Sequence, residues 1–138
     1  MYKYALTEPS SYYLGQFHEE SIKIKPGLHR PDGKSWHNGE QHGSCKCGDF
    51  WIVFDGIKTA VPPEMIATVK AVLGNIVEMD RTARSIVKAE GDYEEALTYI
   101  KIKEACVELH YAPMVVNSEW RVFFRKNEEG VWVYDYWG

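Results

Sequence analysis

A chain of 138 residues has the length of one domain. Its hydrophobic content of 45% is ordinary for a globular protein, and its net charge of −4 argues against nucleic acid, whose affinity comes largely from basic surface. No apolar run reaches the ~18 residues of a membrane span, and the opening MYKYALTEPSSYYLG lacks the apolar core of a signal peptide.

Three cysteines, two of them only one residue apart, make no disulfide framework, so a cytoplasmic protein is expected. One domain, 1–138, is the reading. Ser11 to Phe17 and Ser21 to Lys25 read as two short strands, the second by alternation of Ile22 and Ile24 with polar neighbours. Pro26-Gly27 ends the second strand.

Residues 26–48, PGLHRPDGKSWHNGEQHGSCKCG, differ in kind. Five glycines, two prolines and few aliphatics predict a loop inside the domain. A loop this long is usually functional or disordered. It also clusters metal-type donors: His37, His42, Cys45 and Cys47, with His29 upstream. Thiolates and imidazoles are the donors of tetrahedral zinc. The spacing His-x4-His-x2-Cys-x-Cys is not a standard one, so the expectation is no cofactor, with zinc at these four residues as the alternative.

Asp49 to Ile57 (DFWIVFDGI) resumes as a strand. Pro62-Pro63 then opens a helix, since Pro suits a first turn and Glu64 the positive end of the helix dipole. Ile66, Val69, Leu73, Ile76, Ala83 and Val87 form one apolar stripe at helical spacing. Unbroken to Glu90 this helix would be about 40 Å long. The domain's radius of gyration would be only about 14 Å. A break near Gly74-Asn75, or a fresh start at Asp80, is therefore expected.

Four strands follow as a meander: Leu97 to Lys103, Cys106 to Tyr111, Glu119 to Lys126 and Val131 to Trp137. They are rich in β-branched and aromatic residues, and Asn127-Glu128-Glu129-Gly130 is a hairpin loop. Alternation puts Val107, Leu109 and Tyr111 on one face and Cys106, Glu108 and His110 on the other. It likewise opposes Trp120, Val122 and Phe124 to Arg121, Phe123 and Arg125. The predicted fold class is α+β: an antiparallel sheet, ending in the four-stranded meander, packed against one long or broken helix.

Cys106 and His110 lie about 13 Å apart along a strand, too far for a nucleophile and its base. No Gly-x-Ser-x-Gly, phosphate loop or His-Glu-x-x-His motif is present. This favours a non-enzymatic role. The acids Glu90, Asp92, Glu94 and Glu95 form a candidate docking patch for a basic protein partner, with Phe123 and Trp137 as aromatic anchors on an exposed sheet face.

Two stretches carry a family resemblance. Met79-Asp80-Arg81-Thr82-Ala83-Arg84, and Leu109-His110-Tyr111 followed by Val116-Asn117-Ser118-Glu119-Trp120 and Phe123-Phe124, resemble segments of small bacterial α+β domains. Some of those domains sit beside polymorphic toxins as immunity-type proteins. The resemblance spans residues 64–137. It implies a cytoplasmic, non-enzymatic inhibitor whose partner is a toxin domain. The ending Trp120 to Trp137 is also similar to the last hairpin of the nuclear-transport-factor-like cone fold, which implies a pocket for a small ligand or substrate.

Overall fold

The structure is a computed structural model, and it describes residues 4–26, 41–57, 59–90, 95–103, 106–112 and 120–138. Among these the chain forms three α-helices and a seven-stranded sheet. The elements in order are α1 (Ser10–Gln16), β1 (Lys23–Pro26), β2 (Gln41–Cys47), β3 (Phe50–Ile57), α2 (Pro63–Leu73) and α3 (Ile76–Lys88). The last four are β4 (Ala96–Ile102), β5 (Cys106–Ala112), β6 (Trp120–Lys126) and β7 (Trp132–Trp137). A 3-10 turn at Glu19–Ser21 links α1 to β1.

The expected strand at residues 11–17 is helix α1. Its aromatic composition suggests a strand, but Tyr13 and Phe17 are spaced four apart, which is one face of a helix. Both are buried, and the Tyr13 ring lies 5.6 Å from that of Phe50. The expected loop at 26–48 is likewise corrected at both ends. Pro26 closes β1, and Gln41–Cys47 is strand β2, paired on both sides. Cys45 and Cys47 point into the core with Lys46 outward between them, a period of two that glycine-rich surroundings obscure. Gly43 is closely packed there: a Cβ would meet the Ile22 side chain at 3.1 Å. The two-residue turn Gly48-Asp49 takes a positive φ of 60° at Gly48.

The helical region breaks at Gly74-Asn75. Asn75 has non-helical dihedrals, and its side-chain amide donates to the Ala71 carbonyl at 3.1 Å, closing α2. The stripe still forms one surface. Ile66, Val69 and Leu73 of α2 and Ile76, Ala83 and Val87 of α3 share a single core with Ile52, Phe54, Ile100, Val107, Leu109 and Val122. All three helices therefore cover the same face of the sheet.

The strands lie in sequence order, β1 to β7, and neighbours are antiparallel with one exception. β3 and β4 run parallel, with Trp51 opposite Tyr99 and Phe54 opposite Ile102. The expected wholly antiparallel sheet is thus a mixed one. The cause is the crossover: α2 and α3 carry the chain back across the sheet, and a return through helices yields a parallel neighbour. β4 to β7 are consecutive antiparallel neighbours within this larger sheet. No described helix is long and apolar enough to cross a membrane.

One polar cluster is sealed inside the core. The Asp80 carboxylate accepts the Arg84 Nε at 3.0 Å, the Tyr111 hydroxyl at 2.7 Å and the Leu6 N–H at 3.2 Å. Arg84 spends its other nitrogens on the carbonyls of Glu95 and Tyr4, both at 2.7 Å. Its guanidinium lies 5.0 Å from the centroid of the Tyr111 ring, which stacks on Trp120 at 4.0 Å. Removing one partner of such a pair strands a buried charge. Arg84→Met is expected to cost about 3–5 kcal/mol by chemical denaturation. Arg84→Met combined with Asp80→Leu should recover part of that loss. A double variant less stable than the single one would show that the charge is not what matters.

Candidate functional site on the uncovered sheet face

Alternation and register assign every outward strand position. The face away from the helices carries Lys23, Ser44, Lys46, Trp51, Val53, Asp55, Tyr99, Lys101, Glu108, His110, Arg121, Phe123, Arg125 and Tyr136. Lys103 and Asp135 extend it at the strand ends through contacts to Glu108 and Arg125. Among described side chains it therefore holds six cations against three carboxylates. This surplus is opposite in sign to the net charge of −4 of the whole chain.

Two polar residues on this face are buried although no described helix covers them. Glu108 and His110 are each only 2% exposed. Residues two apart on a strand lean together here: His110 Nε2 and Glu108 Oε1 are 3.1 Å apart. The other Glu108 oxygen meets Lys103 Nζ at 2.7 Å, and the His110 ring stacks on Tyr99 at 4.1 Å. Burial alone would raise the Glu108 carboxyl, but hydrogen bonds from His110 and Lys103 and the charge of Lys103 outweigh it. The net result is a pKa of about 2. Lys103 is raised in turn, first by its bond to Glu108.

Cys106, two residues before Glu108, is no activated nucleophile. Burial and the Glu108 charge both raise its thiol, which leaves it protonated.

The Glu108 pairing has a pH signature. A carboxylate depressed in the folded state contributes stability above its ordinary value of 4.5, lost as pH falls towards about 2. The folded chain is therefore expected to lose stability between about pH 5 and pH 2. Glu108→Gln should show a shallower decline there. Parallel profiles in urea titrations would contradict the pairing.

The sequence-predicted metal residues do not converge. Cys45 and Cys47 face the helices, whereas His42 faces the uncovered side, because odd and even positions of β2 point opposite ways. Burial pushes the thiols up to about 11 for Cys45 and about 12 for Cys47. The Cys47 thiol donates to the Tyr13 carbonyl at 3.2 Å. His29 and His37 lie outside the described residues. Among those described, no group of three potential ligands is placed to hold a metal. A thiol reagent at about pH 8 is expected to label Cys45 and Cys47 only on unfolding. Fast labelling of either in the folded protein, located by mass spectrometry, would contradict their burial.

The expected docking residues are also divided by the sheet. Phe123 is not an exposed anchor: it is 8% exposed, stacked on Tyr136 at 4.1 Å with Arg121 over its ring. Tyr136 takes the exposure instead, at 53%. Trp137 pairs with Val122 and so belongs to the helix side, where its Nε1 donates to Glu90 at 2.8 Å. Glu90 is exposed, and Glu95 is half-buried with its carbonyl held by Arg84. Asp92 and Glu94 lie outside the described residues. Trp51, Tyr99, Lys101, Lys103 and Tyr136 belong to this face without standing in any docking motif of the sequence. The signal that finds them is strand phase, once the core phase of each strand is known.

A cleft of about 450 Å³ separates α2 and α3 from β7, lined by Met79, Phe124, Trp132 and Tyr134 with Glu78 and Thr82. A scan of family models, and comparisons with curated proteins and with solved structures, find no match to this chain.

Proposed function

We propose that the chain is a non-enzymatic protein-binding domain that docks an acidic partner on the uncovered face of its sheet. The observation that carries this reading is the separation of charge. Among its described side chains, an acidic chain gathers a surplus of three positive charges on one sheet face, which would attract and orient a partner of opposite sign. Arg and aromatic residues are the usual anchors of such interfaces. Arg121, Arg125, Tyr136 and the half-exposed Trp51 supply both kinds.

The finer reading is an immunity-type inhibitor acting on a toxin domain in the cytoplasm. It is supported by the resemblance of residues 64–137. An inhibitor needs a rigid surface rather than a catalytic group. The acidic group Glu90, Asp92, Glu94 and Glu95 is the competing docking patch, suited to a basic partner. The cleft beside β7 favours a second reading, a small-ligand-binding or enzymatic cone domain.

The test is co-expression with the product of the adjacent gene, where that gene encodes a toxin. Growth should be rescued, and Arg121→Glu with Arg125→Glu should abolish rescue while the folded protein still accumulates. Neutralising the four acids should leave rescue intact. Rescue that depends on the acids and not on the arginines would move the interface to the acidic patch. Failure of the wild-type chain to rescue, and to co-purify with the toxin, would remove the immunity reading.

A further inference from the structure

Between β2, β3 and β4 the uncovered face sinks into a recess of about 380 Å³. It is lined by His42, Ser44, Trp51, Val53, Tyr99 and Lys101. Register explains its shape. Ser44, Val53 and Lys101 form one row across the three strands, and Lys46, Trp51 and Tyr99 form the next. Two short side chains, Ser44 and Val53, thus make a floor beside a bulky row. Behind Tyr99 the His110 ring stacks against it, and His110 is held by Glu108. That wall is therefore fixed from the rear.

One cation in the recess has no ion pair among the described residues. Lys101 Nζ sits opposite Glu108 in register and its charge helps to hold that carboxyl low, but both Glu108 oxygens are taken by His110 and Lys103. An ammonium beside an apolar, aromatic wall favours an anion.

We infer that this recess is a binding site for a small planar organic anion, an aromatic carboxylate in chemical class. The ring packs against Trp51, Tyr99 and the Val53 floor. The carboxylate is held by Lys101, with the Ser44 hydroxyl as a further donor. The volume is near the lower end of ligand pockets, ~300–1,000 Å³, and suits a one- or two-ring acid. The recess shares Trp51 with the proposed docking face, while the arginine anchors Arg121 and Arg125 lie apart from it on β6.

The probes are 2-naphthoate and its neutral amide, 2-naphthamide, titrated into the full chain by calorimetry and ligand-observed NMR. The acid should bind at least about tenfold more tightly than the amide. Lys101→Met should bring the acid down to the level of the amide and leave the amide unchanged. Trp51→Ala should weaken both. Arg125→Gln, which removes a cation from the far side of the same face, should change neither. No saturable binding of the acid, equal binding of acid and amide, or equal losses in Lys101→Met and Arg125→Gln would each overturn the site.

Discussion

The fold depends on the buried pair of Asp80 and Arg84. These residues sit one helical turn apart on α3, but their other partners are far away in sequence: the carbonyl of Tyr4, the N–H of Leu6, the carbonyl of Glu95 and the hydroxyl of Tyr111. One cluster therefore ties the N-terminal arm, the last helix, the entry to β4 and the end of β5. Charges this deep are tolerated only when every donor and acceptor is met. Asp80 accepts from three separate groups, and Arg84 uses Nε, Nη1 and Nη2. A shift of any one segment would leave a buried charge short of a partner. The register of α3 on the sheet is held by this requirement more sharply than by the apolar stripe alone, which tolerates sliding.

Fixing α2 and α3 on one side decides what the other side is free to do. The crossover from β3 to β4 puts helices over one face, and α1 joins them there. Among the described residues, the opposite face is packed by strand side chains. They pack by stacking: Tyr99 on His110, Phe123 on Tyr136, and Lys46 over Trp51 at 5.4 Å. Stacked rings and long cationic stems cover Glu108 and His110 while leaving charge outward. The positive character of the face and its aromatic content thus share one structural origin.

Much of this was legible in the chain. The strands β3 to β7 announce themselves by alternation of aromatic and β-branched residues, and the helix break falls at Gly74-Asn75, where a continuous helix would have nearly spanned the domain. Elements whose local composition contradicts their role were not legible. α1 is rich in tyrosine and contains Gly15, yet Tyr13 and Phe17 need helical spacing to reach the core. β2 looks like a loop because it is made of Gly, Ser, Cys and His, and only its pairing on both edges makes it a strand. The candidate site was hidden for a related reason. Alternation within a strand names two faces but not which is covered, and β7 is bulky on both, so Phe123 and Trp137 were grouped although the sheet lies between them.

The clustering of His and Cys before β3 shows how one-dimensional proximity misleads. His42, Cys45 and Cys47 are near neighbours in sequence, and a loop would let them converge on one ion. A strand forbids it: successive side chains point to opposite faces, so His42 stands half-buried on the face away from the helices while both thiols enter the core. There the sulfurs serve as small apolar groups, and burial raises their pKa instead of lowering it, the reverse of what a thiolate ligand needs. The same alternation sets His42 next to Ser44, Trp51 and Lys101, residues that share no motif with it in the sequence. A binding constellation on a sheet is assembled across strands, at distances set by the register of neighbouring chains. Its members are found by asking which side chains share a row, a question that arises only once the pairing of β2, β3 and β4 is known.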